Sequence, residues 1–278
     1  MKKIKSIKTQ FSNKFGKNKD FINSIIIYNE SGSITEESHF SGPDEIESRV
    51  EYKYNDQGKV VEETNYMENN EFTEKVRYTR NDEGVAVKIE IDYSDGSKSV
   101  KIIERNDNSE IVTTYDEENQ IEAKEIREYN EKGKLIAKTS FDENGEIEEK
   151  ELYEYDENEN LVQKTELNEE DKPEITSRYF YNEKNEPERI VSLNSAGQRI
   201  DEIKIMYDET GRVTEQIYGT RFIIRNEYND EEKTRTESRY MYSGELDHQT
   251  IYKYNEDGTI ASEDSILNSL TYIYEYFD

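Results

Sequence analysis

The sequence predicts an all-β protein, an elongated, curled antiparallel β-meander of repeated hairpins. Three observations predict it. Turn signals recur every 12 or 14 residues, the segments between them alternate polar and apolar residues, and Gly, Asn or Asp interrupts every window long enough for a helix.

The spacing is counted from the aromatic or apolar residue before each turn. Tyr28, Phe40, Tyr54, Tyr66 and Arg80 step by 12, 14, 12 and 14. From Tyr115 the anchors run Tyr129, Phe141, Tyr155, Leu167, Tyr181, Leu193 and Tyr207, alternating 14 and 12. Tyr228, Tyr240 and Tyr254 follow at 12 and 14. The unit is therefore 26 residues in two unequal halves, and such a period marks a repeat architecture. The phase slips between Arg80 and Tyr115 and between Tyr207 and Tyr228, where irregular turns or bends are predicted. Even steps return each anchor to one side of a sheet. Tyr54, Tyr129, Phe141, Tyr155, Tyr181, Tyr207, Tyr228 and Tyr254 are accordingly predicted to form a structural row facing inward, held by cross-strand pairing.

Each turn opens on Asn or Asp and places Gly fourth after the anchor, at Gly32, Gly58, Gly84, Gly133, Gly145, Gly197, Gly211 and Gly258. A type I turn followed by a left-handed residue in a bulge needs this order. Asn119 and Asn185 stand in for Gly, and Asn tolerates positive φ next best. Asp171, Glu159 and Glu232 break the rule and predict strained or longer turns. Between turns, KLIAKTSF puts Leu135, Ala137, Thr139 and Phe141 on one face and Ile136, Lys138 and Ser140 on the other, a period of two. About 21 turn signals give roughly 22 strands, an open sheet on the order of 100 Å wide.

These residues resemble the YD repeats of Rhs and teneurin-like proteins, whose unit reads Tyr-Asp-x-x-Gly-Arg-hydrophobic. YDETGRVTEQ, Tyr207 to Gln216, is the closest copy, with YDENENLVQKT and YNEKGKLIAKT near it. The resemblance covers about residues 28–260 and implies spiralling β-sheet. In that family the repeats enclose a toxin or build surface structures. The Asp-Pro core motif of the family is missing, since Pro occurs only at 43, 173 and 187, and no toxin segment follows. The repeat fold is carried over; toxin delivery is not.

Composition bounds the function. Only 32% of the 278 residues are hydrophobic and 37% are charged, too little apolar material for a thick core. Twenty-two Tyr and nine Phe, in phase, argue against disorder. Residues 1–20 carry seven Lys and one Asp, net +6, so the remainder carries −34 of the total −28. A body this acidic repels nucleic acid and anionic membrane and attracts a basic protein. There is no Cys, no signal peptide and no apolar run of membrane length, which reads as a cytoplasmic protein without a membrane span.

Residues 1–27 read as a basic segment, a degenerate capping repeat in which IKTQFSNKFG aligns with AKTSFDENG. The alternative is a basic amphipathic helix, since Ile4, Ile7, Phe11 and Phe15 recur near helical spacing among lysines. Residues 28–278 form the repeat domain. His39 and His248 stand alone, no nucleophile, phosphate-loop or zinc motif occurs, and DENGE lacks the spacing of a calcium loop. No catalytic, cofactor or metal residue is assigned, and no cofactor is expected. The sequence predicts a non-enzymatic, Tyr-rich acidic surface for a basic protein partner, as an immunity protein, antitoxin or chaperone has. The alternative is a structural shell or spacer that self-associates through sheet edges.

Overall fold

The computed structural model describes residues 2–15 and 20–278. They form 22 strands. In chain order these are β1 (Ile4–Asn13), β2 (Phe21–Tyr28), β3 (Ile34–Gly42), β4 (Glu45–Tyr54), β5 (Val60–Met67), β6 (Glu71–Arg80), β7 (Ala86–Tyr93) and β8 (Lys98–Asn106). There follow β9 (Ser109–Tyr115), β10 (Ile121–Tyr129), β11 (Leu135–Phe141), β12 (Ile147–Tyr155), β13 (Leu161–Leu167), β14 (Pro173–Tyr181) and β15 (Pro187–Asn194). The last are β16 (Arg199–Tyr207), β17 (Val213–Tyr218), β18 (Phe222–Asn229), β19 (Thr234–Met241), β20 (Leu246–Tyr254), β21 (Ile260–Ser265) and β22 (Asn268–Tyr276). The fold is all-β, and helix among the described residues is confined to one 3-10 turn, Glu68–Asn70.

The chain divides into two compact units. The first comprises residues 1–100, 228–237 and 248–278; the second comprises 101–227 and 238–247. In the first, antiparallel ladders run from β20 through β21, β22, β1 and β2 to β7. In the second they run in sequence order from β9 to β18.

Two expectations change here. Ile4, Ile7 and Phe11 lie on a strand, not a helix, and Phe15 follows it in a bend. Ile7 faces Ile26 on one side and Tyr274 on the other. The predicted open meander would leave its first and last strands as edges; instead they pair with each other. The reason is physical. An edge leaves a row of backbone donors and acceptors unpaired. Pairing β1 with β22 also gives the basic strand a carboxylate partner: Ser6 Oγ and Lys8 Nζ donate to Glu275 at 3.0 and 2.8 Å. The predicted boundary between the basic segment and the repeat domain, at residue 27, thus falls near the end of β2, within the first unit. The predicted capping-repeat glycine, Gly16, and residues 17–19 lie outside the described residues.

The turn chemistry explains the sequence pattern. At Asn130 the backbone N–H donates to the Lys134 carbonyl at 2.9 Å, and Gly133 N–H donates to the Asn130 carbonyl at 2.8 Å. The Asn130 Oδ1 accepts from the N–H groups of Lys132 and Lys134, both at 3.0 Å. An oxygen on a short side chain is therefore required at that position, which selects Asn or Asp. Gly133 has φ 76°, and the other seven predicted turn glycines lie between 72° and 89°. Asn119, Glu159, Asp171 and Asn185 take the same conformation at φ 59–67°. After Asn229 the left-handed residue is Lys233, not Glu232, so that turn is one residue longer. A bulge falls beside the anchor, as between Glu154 and Tyr155.

Little is deeply buried. Val76, Ile91, Ala137 and Val191 are the buried apolar residues among those described, and no side chain is fully enclosed. The exposed area is 18114 Å², against roughly 12,500 Å² for a compact monomer of this mass. The inward aromatic row is corrected accordingly. No Tyr or Phe is among the buried residues, and all eight predicted anchors are half-buried. The hydroxyls of Tyr54, Tyr155, Tyr181 and Tyr207 bond backbone carbonyls at the strand ends, which keeps those rings near water.

Candidate functional site

The middle of each unit's sheet balances its own charge. In the first unit Glu62 lies within 3.7 Å of Lys53, Lys75 and Arg77, and Arg77 continues to Asp92 at 2.6 Å. In the second, Glu110 accepts from Arg105 and from Arg127, at 2.5 and 2.6 Å. Arg127 also pairs with Glu125, Lys138 bridges Glu125 and Glu149, and Lys164 joins Glu151 to Glu166. Glu151 is 5% exposed. Burial works to raise its carboxyl, but hydrogen bonds from Lys164 and Tyr153 outweigh this and hold it below the usual carboxylate range. Charge not balanced in these rows must sit elsewhere.

In the second unit the two ends of the strands differ. At one end the anchors are tyrosines. Tyr155, Tyr181 and Tyr207 donate their hydroxyls to the carbonyls of Leu135, Leu161 and Pro187 at 2.8, 2.9 and 2.7 Å. Each bond spans 20 residues and ties one hairpin to the next. Tyr54 makes the equivalent bond to Ile34 in the first unit, and Arg80 to Val60. Side chains reinforce the tie: Lys132 and Lys134 reach Glu159 at 3.3 and 3.4 Å, and Asn160 pairs with Asn185. Of the remaining anchors, Tyr129 and Tyr254 donate backbone N–H groups to Asn108 and Lys233, and Tyr228 is half-buried near the end of β18.

At the opposite end the anchors are Phe141, Leu167 and Leu193, which have no hydroxyl to donate. Residues 116–122, 142–148 and 168–174 hold twelve carboxylates and one Lys. Asp142 uses one oxygen to accept the backbone N–H groups of Glu146 and Asn144 at 2.8 and 2.9 Å, which holds its carboxyl below the usual range. Lys150 pairs with Asp171 and Lys172 with Glu170. Glu117, Glu118, Glu143, Glu146, Glu148 and Glu169 are exposed and make no ion pair among the described residues. Two clefts of about 350 Å³ open between these turns. One is lined by Ile121, Lys124, Phe141 and the turn Asp142–Gly145; the other by Ile147, Glu148, Leu167, Asn168–Glu170 and Glu174. They repeat at 26 residues. Ile121 and Ile147, 45% and 41% exposed, present an apolar surface beside each acidic turn.

Sequence reasoning named Phe141 and Gly145 but missed Ile121 and Ile147. The signal was available: counting carboxylates separately for odd and even turns separates the two ends. His39 lies 3.1 Å from Glu37 and His248 lies 3.0 Å from Thr250, on strands β3 and β20, and they do not converge. No group of three metal-ligating side chains occurs among the described residues.

A family model described as "Uncharacterised protein" matches residues 8–128. No curated protein matches the chain. Among solved structures, the chain is similar to a porin-like protein from Bacteroides uniformis, with 13% identity over 98% of both chains and a TM-score of 0.24. A score this low establishes no shared fold.

Proposed function

We propose that the protein is a non-enzymatic binding protein, assembled from YD-like repeats, that holds a basic protein partner at the acidic end of its second unit. The observation that carries this is the contrast between the ends of β10–β14. One end is stitched by hydroxyl–carbonyl bonds; the other has no such bonds among the described residues and presents twelve carboxylates against one Lys over three turns, beside exposed isoleucines. Carboxylates steer and select a cationic partner, and the apolar clefts retain it. Two equivalent clefts suit a partner that offers paired basic and apolar side chains about two strand spacings, ~10 Å, apart.

The reading includes no membrane span. On β12, Glu149 and Glu151 alternate with Lys150 and Glu154, so both faces carry charge. A lysine facing lipid at mid-depth costs about 2–4 kcal/mol, and a glutamate less. Self-assembly through the chain's terminal strands is disfavoured, because β1 is flanked by β2 and β22.

The test is calorimetric titration with a synthetic peptide alternating Lys and Leu. Affinity is expected to fall steeply between about 50 and about 500 mM salt. Combined Glu117→Gln, Glu143→Gln, Glu169→Gln and Glu170→Gln substitutions are expected to weaken binding about tenfold or more. The same charge removed at Glu131, Glu157, Glu183 and Glu209 is expected to change it little. Equal losses from both sets would mean that net charge, and not this end, governs binding.

A further inference from the structure

The phase slip between Tyr207 and Tyr228 leaves a cleft that the repeat does not account for. A tight connection through Gly219, φ 56°, joins β17 to β18 in place of the usual Asn-x-x-Gly turn. Gly219 N–H donates to the Glu202 carbonyl at 2.7 Å, and Tyr242 N–H donates to the Arg221 carbonyl at 3.2 Å. The shortened hairpin opens a cleft of about 700 Å³ over β16–β18, within the ~300–1,000 Å³ typical of small-molecule sites. Ile217 and Ile223, directly opposed in register, form part of its lining. Ile200 and Tyr242 stand at its margin, 55% and 59% exposed.

Charge here runs against the rest of the chain. Arg199, Lys204 and Arg221 line the cleft with two carboxylates, Asp201 and Glu202, and Arg189 reaches Glu202 from the neighbouring strand. Glu202 accepts from Arg189 at 2.6 Å and from Arg199 at 2.8 Å, and Arg221 donates to Asp201 at 2.7 Å. Burial works to raise the Glu202 carboxyl, but the Arg189 hydrogen bond and the charges of Lys204, Arg189 and Arg199 hold it below its usual range. Both arginines next to Glu202 therefore share one ionised group. Lys204 faces Ile217 across the ladder, is exposed, and makes no hydrogen bond or ion pair among the described residues. The cleft thus keeps an excess of positive charge in a protein of net charge −28.

We infer that this cleft binds a small amphipathic carboxylate, an aliphatic acid whose head group pairs with Lys204 and whose chain lies on Ile200, Ile217, Ile223 and the Tyr242 ring. An anion is repelled by most of this surface, so a local positive excess over an apolar floor selects where it settles. A neutral chain gains nothing from the ammonium, and a cationic head group is repelled by it. This site shares no residue with the acidic clefts and stands apart from the protein-binding reading.

The experiment is calorimetric titration with decanoate below its aggregation threshold, with decyltrimethylammonium as the opposite-charge control. One saturable decanoate site is expected. Lys204→Glu is expected to weaken it about tenfold or more, and Ile200→Ser to weaken it severalfold. Both residues are exposed, so unchanged melting curves are expected to show that the variants fold. The glutamine variant of the acidic clefts is expected to bind decanoate as the parent does. The inference is overturned if decanoate shows no saturable binding up to about 1 mM, if Lys204→Glu and Ile200→Ser bind it as the parent does, or if the cationic amphiphile binds equally well.

Discussion

Replacing Tyr155, Tyr181 and Tyr207 with Phe removes three hydroxyls and leaves the rings. The bonds they make to the carbonyls of Leu135, Leu161 and Pro187 are 2.7–2.9 Å long, ordinary O–H···O distances. Each is a net stabilisation of about 0.5–1.5 kcal/mol. The three tyrosines are half-buried or at the strand ends, so water recovers part of each orphaned carbonyl, which favours the lower half of that range. Successive sites are two strands, ~10 Å, apart, so their effects should add. The triple variant is expected to lose roughly 1.5–3 kcal/mol, a drop of about 3–12 °C in the melting midpoint at ~2–4 °C per kcal/mol for a chain of this size class. Thermal unfolding followed by far-ultraviolet circular dichroism measures it. Introducing a hydroxyl at the opposite end, Phe141→Tyr, is the control and should not raise the midpoint. A triple variant within about 0.3 kcal/mol of the parent would refute the idea that the hydroxyls stitch the hairpins.

Three further outcomes follow from the turns and the ion pairs. Gly133→Val and Gly145→Val meet open space, so they report backbone strain alone, and each is expected to cost ~1–2 kcal/mol by denaturant titration. Asp171, at φ 59°, already bears such strain, and Asp171→Gly is expected to stabilise by up to ~1 kcal/mol, since its exposed pair with Lys150 adds little. The carboxyls of Asp142 and Asp208 lie below their ordinary value, through the Glu146 backbone N–H first in one case and the Thr210 hydroxyl first in the other. A depressed folded pKa gives stability that is present above the unfolded value of ~3.9 and lost as pH falls below it. Melting midpoints are therefore expected to hold from pH 7 to about 5 and to fall below about 4, less so in Asp142→Asn and Asp208→Asn variants.

The repeat was legible because each turn depends on two local requirements, an oxygen on the first side chain and a positive φ on the fourth residue. Asn130 and Gly133 meet both, and the same pair recurs down the chain. What the sequence did not disclose was the reach of each anchor. Parity arguments place Tyr155 on a face, but the bulge beside it turns the ring toward the strand end, where its hydroxyl finds Leu135. A buried aromatic row was the natural expectation from 22 Tyr, yet the hydroxyl makes Tyr useful at a wet margin. The pairing of β1 with β22 was illegible for another reason: Ile7 and Tyr274 are 267 residues apart, and alternation within a strand says nothing about its distant neighbour. The slip before Tyr228 was visible as a break in spacing, but a spacing defect does not reveal that Lys204 faces Ile217.

The unequal halves of the repeat acquire a purpose from the two ends they build. A 26-residue unit brings every second turn to the same end, so one residue choice per half-repeat is amplified along a whole margin. Tyr at 155, 181 and 207 stitches that margin: the carbonyls of Leu135, Leu161 and Pro187 have donors, and Glu159 meets Lys132 and Lys134. Phe141 and Leu167 forgo that stitching, which leaves clefts between hairpins and lets Ile121 and Ile147 remain exposed. Stacking acidic turns there costs mutual repulsion, most severe at low salt, where the Debye length is ~30 Å at 0.01 M and spans several turns. The stitched margin supplies the cohesion that this repulsion opposes. A cationic partner would relieve the repulsion at the same turns where the apolar contacts lie, so charge and cleft favour the same occupant. The end with the least internal satisfaction is therefore the end expected to bind.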